Sequence, residues 1–93
     1  MFARTLKRIR EKIRNMEYVV TIHADEAMDD DGLTIFDVEE IILTGEIFER
    51  QKDRETGEWK YLIRGETLSK DQAVAVVKIN ITSTLVIVTL YVE

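Results

Sequence analysis

The stretch from His23 to Thr34, HADEAMDDDGLT, holds the only histidine of the chain and five carboxylates within nine residues. An imidazole among carboxylates can ligate a metal, move protons or simply cap a helix. For calcium, Asp29, Asp31 and Gly32 fall on positions 3, 5 and 6 of an EF-hand loop. Positions 1 and 12 would then be Ala27 and Val38, so the carboxylate that closes the coordination sphere is missing. For zinc, His23 and Glu26 stand three apart on one helical face, which makes two ligands where a catalytic site takes three. No metal or other cofactor is therefore expected, and the segment reads as two helix ends around a glycine break.

A second group could act on nucleic acid. Arg50, Lys52, Arg54, Lys60 and Arg64 interleave with Trp59 and Tyr61. Cations beside stacking aromatics suit single-stranded RNA. The same pattern also describes an edge strand protected by charge, with Trp59 in the core. The four glycines (32, 45, 57 and 65) read as turn or cap positions, so no glycine-rich phosphate loop is present. Ser69 and Ser83 sit in expected turns, and with one histidine no serine triad can be argued from spacing.

These groups sit on an uneven charge distribution. Residues 1–16 carry six basic and one acidic side chain. Residues 17–47 carry ten acidic and no basic ones, and residues 48–93 seven of each, for a net charge of −5. A molecule with one basic and one acidic end steers partners and favours association. Crowded carboxylates also repel one another and gain from a nearby cation, in the same chain or across a dimer. There is no cysteine, hence no disulfide or thiolate metal site. No apolar run is long enough for a transmembrane helix, and the N-terminus lacks the apolar segment of a signal peptide. A cytoplasmic protein with no membrane partner is expected.

The elements that must position these residues can be read from periodicity. Phe2, Leu6, Ile9, Ile13 and Met16 are spaced 4, 3, 4 and 3, predicting an amphipathic helix over 3–15. Arg4, Lys7, Arg8, Arg10, Lys12 and Arg14 occupy its remaining surface and are the candidate binding residues. EYVVTI predicts a short strand and HADEAM a short helix. Thr34 with Asp37 forms a capping box for a helix that buries Ile35, Val38, Ile41 and Ile42, with Gly45 as a left-handed cap. EIFERQ, WKYLIRGE, AVAVVKIN and LVIVTLYV read as strands, the last two apolar on both faces and so central. Trp59, Tyr61 and Ile63 share one face of their strand, and ITST makes a tight turn without glycine. The fold class is α+β, with the N-terminal helices packed on one face of a mostly antiparallel sheet of four to five strands.

His23, Ala24, Met28, Gly32, Leu33, Thr34, Asp37, Val38 and Gly45, followed by the closing TSTLVIVTLYVE, resemble in order and spacing the bacterial domain of unknown function 4258. The resemblance covers residues 18–93 and leaves the basic helix outside. It implies a fold similar to the RelE, ParE and BrnT toxins. The length itself allows one domain over 1–93, read as a basic helix over 1–16 and a RelE-like body over 17–93. The resemblance also implies messenger RNA cleavage or binding to an antitoxin. Arg64 and Arg50 would stabilise a phosphate transition state, and Tyr61, Tyr91 or His23 would move protons. The family's two arginines fall on Ala27 and Asp31, and a carboxylate at that position repels phosphate. The expectation is thus a non-catalytic interaction domain, part of a toxin–antitoxin-like pair, binding a protein partner or a second copy through the basic helix. An RNA-cleaving toxin, with RNA as ligand, is the alternative.

Overall fold

The computed structural model describes residues 2–93. Three helices, α1 (Ala3–Arg14), α2 (Ile22–Asp31) and α3 (Ile35–Thr44), accompany β1 (Tyr18–Val20), β2 (Glu46–Lys52), β3 (Trp59–Glu66), β4 (Gln72–Ile79) and β5 (Leu85–Val92). The sheet order is β1-β5-β4-β3-β2. Strands β2 to β5 form an antiparallel meander, and β1 adds in parallel to β5. The two strands expected to be central are so: β4 lies mid-sheet and β5 between β1 and β4.

All three helices lie on one sheet face. Leu6, Ile9 and Ile13 of α1, Ala24 and Met28 of α2, and Val38, Ile41 and Ile42 of α3 share one core with Ile63, Ala75, Val77, Leu85, Ile87 and Leu90 of the sheet. The opposite face carries a smaller cluster, Leu62, Val74 and Val76 with Val88, and no helical layer. Residues alternate between the two faces along each strand, and the alternation shifts by one at the bulges at Phe48 in β2 and Val88 in β5.

Local signals explain three of the six helix ends. Thr21 caps α2 by accepting the Ala24 N–H at 3.0 Å, and Gly32 ends it in the left-handed region at φ 66°. The capping box of α3 is complete: Thr34 Oγ1 accepts the Asp37 N–H at 3.4 Å, and Asp37 Oδ2 accepts the Thr34 N–H at 3.0 Å. Among the described residues no helix is long and apolar enough to cross a membrane.

Four expectations need correction. Gly45 is not a left-handed cap; its backbone is extended, at φ −91°. Its role is close approach, since a Cβ there would stand 2.5 Å from both the Ile41 and Arg64 carbonyl oxygens. Gly65 is not a turn residue but lies inside β3, where a Cβ would overlap the same Ile41 carbonyl. The two glycines let α3 rest its backbone on β3. Met16 leaves the apolar stripe: α1 ends at Arg14, Met16 takes φ 56°, and its side chain is 76% exposed. Trp59 is not a core residue, being 39% exposed at the start of β3. The glycine-free turn between β4 and β5 forms as expected, with Ser83 supplying the positive φ.

Candidate functional site

The catalytic candidates do not converge. Arg64 and Tyr91 stand on the helix-free face, each directly across from Val74. Arg64 donates to Glu93 through Nε at 2.8 Å and Nη2 at 3.2 Å, and lies 4.0 Å from the centre of the Phe48 ring. The hydrogen bonds to Glu93 hold the guanidinium pKa above its ordinary value. The Nε and Nη2 donors of Arg64 are thus engaged by Glu93. Arg50 and Tyr61 are cross-strand neighbours on the other face, because a bulge at Phe48 shifts the register of β2 by one residue. His23 lies exposed in the first turn of α2. Glu26 is also exposed, and among the described residues no group of three His, Asp or Glu side chains is arranged to hold a metal ion.

What the fold does assemble is a surface around α1. Arg4, Lys7, Arg8 and Arg14 are exposed, at spacings that align them along the outward side of the helix. Among the described residues none of the four meets a carboxylate; of the α1 cations only Lys12 does, with Glu17 at 3.5 Å. Apart from Glu17, no carboxylate of the acidic segment pairs with an α1 cation among the described residues. Asp25, Glu26, Asp29, Asp30 and Asp31 are exposed on α2 and enter no ion pair among the described residues. Arg10 instead turns inward and donates to the carbonyls of Ile42 and Gly45 at 3.3 and 2.6 Å.

Clefts run along both flanks of α1. On one side an open cleft of about 490 Å³ lies between Thr5 and Arg8 of the helix, Trp59 and Tyr61 of β3, and the β4–β5 turn. Arg8 Nη2 donates to Ser83 Oγ across it at 3.3 Å, and Ile81 stands 98% exposed at its rim. Arg50 stacks 4.2 Å from the Trp59 ring centre and 6.0 Å from that of Phe2, which meets Tyr61 edge-on at 6.1 Å. This cation–aromatic cluster ties the start of α1 to β2 and β3. On the other flank, smaller clefts of about 400 and 290 Å³ separate α1 from the start of β2. Sequence reasoning found the cations and aromatics but not the clefts, because these depend on where α1 docks. Parity was a usable signal: Tyr61 and Arg64, three apart on one strand, must face opposite ways.

Two further groups are tuned. Burial, with a 2.8 Å hydrogen bond to Glu39 and the charge of that carboxylate, pushes Tyr18 up to about 12. Asp37 is held below the usual carboxylate range, first by the Thr34 N–H and also by the Leu68 N–H. Both ties join helix α3 to other parts of the fold, so they serve structure.

Residues 20–92 match the model of a protein family described as Domain of unknown function (DUF4258). The match spans α2, α3 and the strands β2 to β5, and starts after α1. No curated protein and no solved structure matches the chain.

Proposed function

The chain belongs to the DUF4258 family, and from that premise we propose that it is a non-catalytic protein-interaction domain of RelE-like fold, acting in the cytoplasm as one half of a toxin–antitoxin-like pair. The observation that carries the reading is the outward face of α1, where Arg4, Lys7, Arg8 and Arg14 are exposed without a carboxylate partner among the described residues. The docking of Leu6, Ile9 and Ile13 into the core supports it, since it holds those cations on a fixed scaffold. The partner presents an acidic surface. Exposed ion pairs contribute only about 0.2–1 kcal/mol each, so the charges steer and orient while apolar contacts in the flanking clefts add affinity.

The test compares wild type with a variant carrying Arg4→Glu, Lys7→Glu, Arg8→Glu and Arg14→Glu, checked for fold by circular dichroism. Immobilised wild type should retain a partner from extract of the source cells at low salt and release it at high salt. The variant should retain none. Sedimentation of the protein alone separates a second copy from a different partner. Retention that ignores both salt and charge reversal would remove the reading.

The alternative, an RNA-cleaving toxin, is favoured by one contact, the cross-strand pairing of Arg50 with Tyr61 beside Trp59. It requires that added protein cut messenger RNA in a cell-free translation reaction, and that Arg50→Ala or Arg64→Ala stop the cutting. Intact messenger with protein in excess over ribosomes would dismiss it.

A further inference from the structure

The two clefts between α1 and β2 share Ala3, Leu6 and Glu46, so they form one groove. Its helix wall is the row Ala3, Lys7, Arg10 and Arg14, spaced 4, 3 and 4, which is a single line along an α-helix. Its apolar lining comes from Leu6, Phe2 and Ile47. Its far wall is the start of β2, an edge strand that pairs only with β3. Ile47 faces the helices, and its neighbour Glu46 pairs in register with Arg64, whose side chain is on the other face. A groove touching both residues reaches the outer rim of the sheet.

The dimensions favour one kind of occupant. From Ala3 to Arg14 the helix wall runs roughly 16 Å at 1.5 Å per residue, the length of about five residues of extended chain. An extended chain puts alternate side chains on opposite sides, matching a groove that is basic on one wall and apolar on its floor. The charge sets the rest. Three cations line the groove against the single carboxylate of Glu46. Arg10 is held by backbone carbonyls, and Lys7 and Arg14 meet no carboxylate among the described residues. The densest carboxylates of this chain, on α2, are helical rather than extended, so they do not suit the groove.

We propose that this groove binds an extended segment of the partner protein in which acidic and apolar residues alternate, the acids meeting Lys7 and Arg14 and the apolar side chains meeting Leu6 and Ile47. The inference rests on the interaction-domain reading and narrows it to one flank of α1.

The probe is a fluorescein-labelled ten-residue peptide of alternating Glu and Val, followed by fluorescence anisotropy against the full chain at low and high salt. Saturable binding is expected, weakened about tenfold or more by the double variant Lys7→Glu, Arg14→Glu. The double variant Arg4→Glu, Arg8→Glu makes the same change of charge on the outward and opposite sides of the helix, and should weaken binding clearly less than Lys7→Glu, Arg14→Glu does. Glu46→Lys, which adds a cation at the rim, should tighten it and so reports independently of any loss of fold. Equal weakening by both double variants would overturn the groove while leaving the basic-helix reading standing. No binding of this peptide, or tighter binding of a helical Glu–Ala peptide, would overturn the extended segment. Retention of a partner from extract, read separately, decides the broader reading.

Discussion

Arg10 and Gly45 meet across 35 residues of chain, the guanidinium Nη2 donating to the glycine carbonyl at 2.6 Å. The contact supplies what α3 lacks. That helix has no basic residue in its last turn, and its final carbonyls carry the negative end of the helix dipole. Arg10 brings a cation to that end from another helix and satisfies the carbonyl of Ile42 as well. Of the six cations on α1, Arg10 is the one that holds the helix to the end of α3.

Replacing Arg10 by alanine should therefore lower stability by about 1–2 kcal/mol, the size expected for losing charge-assisted hydrogen bonds at a part-buried site. Arg4→Ala, at an exposed position without such a partner, should stay within about 0.5 kcal/mol of wild type. Urea denaturation of both variants measures the difference. Equal effects would mean that Arg10 does not anchor α1.

The glycines that seat α3 on β3 should be the least replaceable. In Gly65→Ala the new Cβ would overlap the Ile41 carbonyl, so α3 must shift, at a cost of about 2–3 kcal/mol or more. Gly32→Ala meets no atom within 4 Å and suffers only its left-handed backbone, about 1 kcal/mol. Thermal melts should rank wild type above Gly32→Ala and Gly32→Ala above Gly65→Ala.

Asp37 should contribute to acid sensitivity. Its folded pKa is depressed by the N–H groups of Thr34 and Leu68. Stability from this group is thus fully present above its unfolded value, about 3.9, and is lost as pH falls through the lower folded value. The stability gap between wild type and Asp37→Asn should be constant near neutrality and shrink below about pH 4. Urea titrations at several pH values read the gap directly, and a gap that widens in acid would contradict the assignment.

Tyr18 gives the opposite limb. With its folded pKa pushed up to about 12, the protein should lose stability as pH rises from about 10, the unfolded value, through the folded one. Absorbance titration should show one tyrosine ionising late. Glu39→Gln should bring that ionisation down, since the carboxylate supplies part of the shift.

What the sequence made legible was local. The capping box of Thr34 and Asp37 lies within one helical turn, so spacing alone reveals it. The apolar runs of β4 and β5 announce strands flanked by others within the sheet. Gly45 was misassigned because its reason is a carbonyl on another strand, Arg64, as well as one on its own helix. Arg10 looked like the other five cations of α1 because its acceptors are more than 30 residues away. The candidate site divides in the same way. Its residue types were visible, but the bulge at Phe48 decides that Arg50 stands beside Tyr61 and apart from Arg64.

The parallel pairing of β1 with β5 bears on how the chain reaches its native state. Tyr18–Val20 finds its hydrogen-bonding partner only in residues 85–87, and α2 packs chiefly against the same final strand. Neither β1 nor α2 therefore has its main sheet partner until the last strand is made. Contacts of such sequence separation slow folding. On the ribosome, the acidic α2 and the short β1 would wait exposed while the β2–β4 meander forms, and the domain would close in a late step led by β5.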